Sequence, residues 1–293
     1  MKNLWIFLVV FSSIGGSIFA QNTYKYKVGD MEVILLSENQ SEGKPGILIG
    51  ATPEMIRKTL PDGNFSNAVN AFLVKMPGKN VLIDAGFGNK LFDNLEAFNV
   101  TAEQIDIVLL THMHGDHIGG MMKDKQINFP NADIYIAQQE YDYWMSDDAM
   151  NRLPENRRGG FHAPRKVIAA YKDKIHLFPA PDLKDASKEI LPGIRGIAAF
   201  GHTPGHTMFL LESGKKKMLV WGDLTHAMAI QMPYPQVAVT YDVDPETAVT
   251  SRKEVLEYVT KNKIPIAGMH IAFPGMGEVR KEKSGGYRFI PMK

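Results

Sequence analysis

The sequence contains no cysteine. That absence excludes a disulfide framework, a thiolate nucleophile, a lipid-modified cysteine and a cysteine-rich structural zinc. Any metal chemistry must therefore use nitrogen and oxygen ligands, which suits a catalytic centre better than a structural one. Charge of one sign is lacking too: 33 basic and 32 acidic residues leave a formal net charge of +1, with no long run of either sign. That is not the electrostatic footprint of a nucleic-acid binder. The expected partner is a small, weakly charged molecule. Linkers and low-complexity stretches are also missing. With 293 residues, 44% of them hydrophobic, the chain is long enough for a large layered core, and one domain over residues 21–293 is expected.

An apolar stretch opens the chain after Met1 and Lys2, running from Leu4 to Val10 and on through Ile14, Ile18 and Phe19 to Ala20. Ser12, Ser13, Gly15, Gly16 and Ser17 interrupt it, whereas a membrane span needs about 20 predominantly apolar residues. Residues 1–20 therefore read as a secretory signal peptide and not as a stable membrane anchor, with cleavage expected between Ala20 and Gln21, although Ile18 departs from the small residue usual at its position. The mature protein is expected to be secreted or periplasmic. Cleavage removes Lys2 and leaves 32 basic against 32 acidic residues.

Strand patterns at 24–27, 31–37, 70–76 and 81–84 open the mature chain as a β-meander, with Gly78-Lys79-Asn80 as a turn. Helical spacing follows from 89 to 105, then a short buried strand at 107–110. Further strands are predicted at 133–137, 194–200, 208–212, 217–221 and 264–269. An amphipathic helix is expected at 245–261 with Asp244 as its N-cap. Two strand-rich halves separated by helices predict an α/β fold, a sandwich of two mixed sheets covered by helices.

The chemistry concentrates in Thr111-His112-Met113-His114-Gly115-Asp116-His117. Only nine histidines occur in the chain, and three lie here. His112 and His114 alternate on an extended segment and so point the same way, while the following turn lets Asp116 and His117 face a second point. One cluster thus offers ligands to two metals. A zinc site wants about four ligands, so others must come from elsewhere. Gly201-His202-Thr203-Pro204-Gly205-His206, Trp221-Gly222-Asp223 and Gly268-Met269-His270 are the candidates, each next to a predicted strand end.

This ordered set, His-x-His-x-Asp-His, then Gly-His-Thr, then Gly-Asp, then a late His, resembles the metallo-β-lactamase superfamily in its dinuclear hydrolase branch. The resemblance runs from about residue 30 to the C-terminus and implies an αββα sandwich with two zinc ions. It implies that His112, His114 and His202 hold one ion, that Asp116, His117 and His270 hold the other, and that Asp223 bridges them. His206 is then a supporting residue, and Asp84 stands where the family commonly has a buried carboxylate, which would orient a ligand histidine or else cap a turn. A water shared by two dications loses its proton near neutral pH, giving a hydroxide bridging the metals as the expected nucleophile. Asp116, Asp223 and His226 are the candidate catalytic residues. In related lactonases a tyrosine at the spacing of His226 touches the substrate carbonyl, and the histidine here departs from that pattern. His162 and His176 are read as surface or structural, Met121 and Met122 as core.

Residues 270–277 and 221–226 are similar to the group containing methyl parathion hydrolase and certain N-acyl-homoserine lactone lactonases. A redox relative would carry an acidic residue in the motif and a flavin domain, and glyoxalase-type thioesterases usually add a C-terminal helical domain. Ring opening of an N-acyl-homoserine lactone, a quorum-quenching reaction, is the leading expectation. Aryl-ester or organophosphate hydrolysis is the alternative, and a non-catalytic metal-dependent signal binder a distant third. Phe87, Leu91, Tyr141, Trp144, Phe161, Met232, Tyr234 and Phe273 are the candidate substrate wall, an apolar surface fit for an acyl chain. The segment around Tyr141, Trp144 and Phe161 reads equally well as core. Self-association, where it occurs, is expected as a homodimer.

Overall fold

The computed structural model describes residues 24–283 and 285–293; the expected signal segment 1–20 lies outside them. The first half contributes β1 (Lys25–Val28), β2 (Met31–Gly43), β3 (Leu48–Ile49), β4 (Phe65–Met76), β5 (Lys79–Ile83), β6 (Ile107–Leu109), β7 (Met122–Lys123), β8 (Gln126–Ile127), β9 (Asp133–Ala137) and β10 (Ile175–Phe178). The second contributes β11 (Ile194–Ala198), β12 (Thr207–Ser213), β13 (Lys216–Val220), β14 (Ala238–Val239), β15 (Ile266–Ala267), β16 (Met276–Lys281) and β17 (Tyr287–Pro291). One sheet runs β1-β2-β4-β5-β6-β9-β10 and the other β11-β12-β13-β15-β16-β17, with two small ribbons, β3-β14 and β7-β8, outside them.

The period-two alternation of strand side chains builds the layers. Ile34, Leu36, Ala71, Leu73, Leu82 and Val108 pack outward under a helical layer with Leu95, Val167 and Ile168. Their neighbours Val33, Leu35, Phe72, Val74, Val81, Ile83 and Leu109 pack inward against Phe209, Leu211, Met218 and Val220 of the facing sheet. On the far side Met208, Leu210, Leu219 and Trp221 meet Val255, Leu256 and Val259 of the helix Pro245–Asn262. The four-layered α/β sandwich expected from the sequence is the observed architecture. Because the central strands are covered on both faces, they read as continuous apolar runs. Asp244 caps the long helix by accepting the Thr247 amide, as expected.

Three local expectations need correction. Lys79 and Asn80 do not form a turn: they pair with Met76 and Lys75 inside β4–β5, leaving a tight turn around Gly78, whose φ of 74° needs glycine. The helix expected over 89–105 covers only Leu91–Glu96, followed after Asn99 (φ 55°) by a short 3-10 turn, Ala102–Gln104. The strand expected at 264–269 shortens to Ile266–Ala267, which pairs with β13 on one side and β16 on the other. Among the described residues no helix is long and apolar enough to cross a membrane.

Candidate metal centre

Strands β5, β6 and β9 are parallel neighbours in one sheet, and β13 and β15 in the other. Their carboxyl ends therefore face one rim, the usual place for ligands in sheets with parallel strands. Asp84 follows β5, the His112–His117 segment follows β6, Asp223 follows β13 and His270 follows β15. His202 joins them from the loop between β11 and β12. Residues separated by more than 150 positions meet there.

The Asp223 carboxylate is the hub. Its Oδ2 lies 3.0 Å from His270 Nε2, 3.2 Å from His202 Nε2, 3.2 Å from His226 Nε2 and 3.6 Å from His112 Nε2. Its Oδ1 faces His117 Nε2 at 3.2 Å. His114 Nδ1 completes the first group, 3.0 Å from both His112 Nε2 and His202 Nε2. Asp116 Oδ2 approaches His270 Nε2 at 3.5 Å.

These donors fit metal ions. His112, His114, His202 and Asp223 form one group with ligand atoms within 4.8 Å of one another, and Asp116, His117 and His270 form a second. A tetrahedral shell at about 2.0–2.1 Å places its nitrogens roughly 3.3 Å apart, close to the imidazole spacings just given. His117 Nε2 and Asp223 Oδ1 are buried without a hydrogen-bond partner, as ligand atoms are before an ion is counted. Charge gives the same answer. Burial depresses His117, yet Asp223, Asp116 and Asp84 outweigh it and hold the imidazolium well above its usual range. Burial likewise opposes protonation of His202, while its hydrogen bonds to Asp223 and Asp242 carry it up to about 9. Carboxylates that draw protons onto buried imidazoles would draw a dication more strongly. His114, by contrast, is pushed down to about 3 by burial and by His202 beside it.

The ring nitrogens that face away from the centre are also held, which fixes orientation and tautomer. His117 Nδ1 meets Asp84 Oδ2 at 2.6 Å, and Asp84 also accepts the Thr111 amide and hydroxyl at 2.8 and 2.6 Å. Asp84 is thus placed where it can orient a ligand histidine. His202 Nδ1 pairs with Asp242 Oδ1 at 2.9 Å, and His270 Nδ1 with the Ala68 carbonyl at 2.7 Å. His226 differs: its Nδ1 is buried and unpaired, and its ring stacks on His270 at 4.5 Å.

His206 is placed differently from the ligand group. Its Nδ1 donates to the Ala199 carbonyl and its Nε2 accepts the Asp223 amide, both at 2.9 Å. Burial and the neighbouring His202 hold it down to about 3, so it stays neutral in that tautomer. Gly222, with φ 59°, leaves room for this contact, because a Cβ there would strike His206 Nε2. The two histidines of the loop should separate experimentally. His202→Ala is expected to lower metal content per chain, whereas His206→Ala keeps it and lowers thermal stability. The reverse stoichiometry in elemental analysis would assign the wrong histidine to the metal.

The expected substrate wall needs correction. Leu91, Trp144 and Phe161 are buried in the core beneath the first helical layer, with Tyr141 packed against it. Met232 belongs to the core under the long helix, and Tyr234 packs beside Leu60 and Phe65. Phe87 and Phe273 are exposed, but they do not line the cavity over the metal centre. That cavity, about 540 Å³, is walled instead by Ile47, Phe65 and Tyr241 with Ser41, Glu42, Lys44 and Asn67. Of the two readings of the aromatic segment, wall and core, the structure has core.

Several working residues escaped the sequence reading. Glu140, 1% exposed, accepts the Met113 amide at 2.9 Å, Trp144 Nε1 at 2.6 Å, the Thr203 hydroxyl at 2.6 Å and the Gly205 amide at 3.1 Å. It ties the loop of His112 and His114 to the loop of His202. Glu38 similarly accepts the amides of Phe87, Gly88, Lys90 and Leu91. Arg252, fully inside the long helix's packed face, donates to the carbonyls of Leu224, Pro235 and Val237. A charged residue amid the apolar positions of that helix was the one available signal.

The sequence pattern described as Metallo-beta-lactamase superfamily matches residues 66–263. The chain belongs to that superfamily. Among solved structures it is similar to the hydrolase AbOPH of the beta-lactamase superfamily, with a TM-score of 0.85 and 28% identity over 92% of this chain and 97% of that one. It is also similar to AidC, a dizinc quorum-quenching lactonase, with a TM-score of 0.83 and 26% identity over the same shares. The acyl-coenzyme A thioesterase MBLAC2 of Gallus gallus is 26% identical over 59% of this chain and 64% of its own length. The chain spans about three-fifths of the length of three curated relatives it matches, between 56% and 64%. In this member of the metallo-β-lactamase superfamily, the converging His and Asp groups could hold metal ions.

Proposed function

We propose that the protein binds two zinc ions and opens the lactone ring of N-acyl-homoserine lactones. The observation that carries this reading is the Asp223 hub: the carboxylate belongs to one donor group, lies 3.0 and 3.2 Å from His270 and His117 of the other, and opens onto a cavity of about 540 Å³. The similarity to the lactonase AidC supports the substrate class. When bound, two divalent ions supply Lewis acidity and an acidified water at neutral pH. His112, His114 and His202 would hold one, Asp116, His117 and His270 the other, with Asp223 between them.

The remaining residues orient and select. His226 sits beside Asp223 with its Nε2 on the carboxylate at 3.2 Å; were a bound ion to take that carboxylate, the freed Nε2–H could donate to the carbonyl oxygen of the scissile ester as negative charge develops there. Ile47, Phe65 and Tyr241 give the cavity a short apolar side, which suits a short acyl chain. An aryl ring would fit that side too, so aryl-ester or phosphotriester hydrolysis is the second reading. Steady-state kinetics on N-acyl-homoserine lactones, 4-nitrophenyl esters and methyl parathion decides between them. The lactones are expected to give the highest kcat/KM. A tenfold or greater preference for methyl parathion or an aryl ester over every lactone would replace the first reading with the second. Export of a mature chain beginning near Gln21 is part of the same proposal, resting on the basic and apolar opening of the sequence.

A further inference from the structure

We propose that Tyr241 is a specificity-determining residue, its exposed phenol receiving the substituent that flanks the scissile ester; this rests on the ester-hydrolase reading above. Tyr241 is 53% exposed. The backbone around it is fixed on every side. Thr240 N donates to the Ile47 carbonyl at 2.8 Å, Asp242 N to Val239 at 3.0 Å and Val243 N to His202 at 3.0 Å. The next side chain, Asp242, holds His202 Nδ1. The phenol is therefore anchored to the metal centre while remaining open to solvent, which is how binding residues are presented by a rigid frame.

Its position sets what it can touch. The Tyr241 ring lies 5.8 Å from the His226 ring, at 52°, and His226 in turn contacts Asp223. Tyr241 is thus one side chain further from the metal donors than His226. It faces the part of a substrate beyond the reacting carbonyl. The ribbon β3-β14 brings the other wall residues to the same place, since Leu48 and Ile49 pair with Val239 and Ala238, and Ile47 and Lys44 line the same cavity as Tyr241. Tyr171 and Tyr287 spend their hydroxyls on the Met121 carbonyl and the Glu257 carboxylate. The Tyr241 hydroxyl makes no hydrogen bond to a described residue and is available to donate to an acceptor such as an amide carbonyl, with the ring covering an acyl chain.

The test compares holoenzyme, Tyr241→Phe and Tyr241→Ala on N-hexanoyl-homoserine lactone and on γ-butyrolactone, which has the same ring without the acylamino substituent. With Tyr241→Phe, KM for the substituted lactone should rise about five- to tenfold, and more with Tyr241→Ala. KM for γ-butyrolactone, kcat on both substrates and metal content per chain should stay within twofold. A fall in kcat on both lactones, or no change in KM for the substituted one, overturns the proposal. If the wild type opens neither lactone, the substrate reading fails, and the same split between 4-nitrophenyl hexanoate and 4-nitrophenyl acetate still decides the role of Tyr241. A selective rise in KM for the hexanoate with Tyr241→Ala supports it, and equal effects on both esters overturn it.

Discussion

Asp223→Ala is expected to lower kcat/KM by roughly 10³-fold or more, the equivalent of about 4 kcal/mol of transition-state stabilisation. The magnitude follows from the position of this carboxylate. Its two oxygens face five imidazoles between 3.0 and 3.6 Å away; it belongs to the donor group of His112, His114 and His202 and touches His117 and His270 of the other. Removing it takes away the one anion in contact with imidazoles of both groups. Metal analysis should therefore show a deficit along with the kinetic loss. Burial opposes its charge, but His117, His270 and His112 hold its carboxyl well below the usual range, so the group is an anion at every working pH. Stability supplies an independent check: a bound ion stabilises the folded state by mass action. The melting temperature of Asp223→Ala should fall close to that of chelator-treated wild type, and chelator should change the variant little. An Asp223→Ala protein that keeps two ions per chain and more than a tenth of its activity would remove Asp223 from the bridging position.

Glu140 should give the second largest effect, although it touches neither substrate nor metal. Glu140→Ala strands four buried donors, the amides of Met113 and Gly205, the Trp144 indole and the Thr203 hydroxyl. Unmet buried donors and a lost buried carboxylate together cost about 3 kcal/mol or more, a fall in melting temperature of roughly 5–10 °C for a chain of this size. The damage should be unequal. Met113 lies between His112 and His114, Thr203 follows His202, and Trp144 packs edge-on against His114 at 5.8 Å. Only the first donor group depends on Glu140. His117 and His270 are held from elsewhere, by Asp84 and the Ala68 carbonyl. Glu140→Gln, which keeps the volume but turns one acceptor into a donor, should lower kcat/KM by about 10- to 100-fold and reduce tightly bound metal from about two ions to about one. Wild-type affinity for two ions in both Glu140 variants would show that the ligand loops hold themselves.

Much of the fold was legible because its central strands are short apolar runs ended by glycine or by polar loops. The strand at 133–137 and the capped helix after Asp244 are found where their patterns place them. Where the spacing was ambiguous, tertiary context decided. Residues 89–105 carry helical spacing, yet Asn99 adopts a left-handed conformation and breaks it. The same ambiguity misplaced the substrate wall: Trp144 and Phe161 are apolar, aromatic and near the metal loops in sequence, but they point into the core, 4% and 1% exposed.

The sequence by itself determined which residues are available for the chemistry. Without cysteine, and with three of nine histidines inside seven residues, the polar residues at strand ends offered nitrogen and oxygen ligands that could hold metal ions, and short-range spacing let that motif face two points. Only the tertiary structure decided what surrounds it. Glu140 and Asp242 act through hydrogen bonds to residues 63 and 40 positions away, and the cavity wall is set by a ribbon joining residues 48–49 to 238–239. Contacts of that kind leave no periodic trace in a chain, because their partners are neighbours in space and not along the backbone. A local motif can announce which atoms will bind a metal; the shape of the space above it is settled by which distant segments the two sheets bring together.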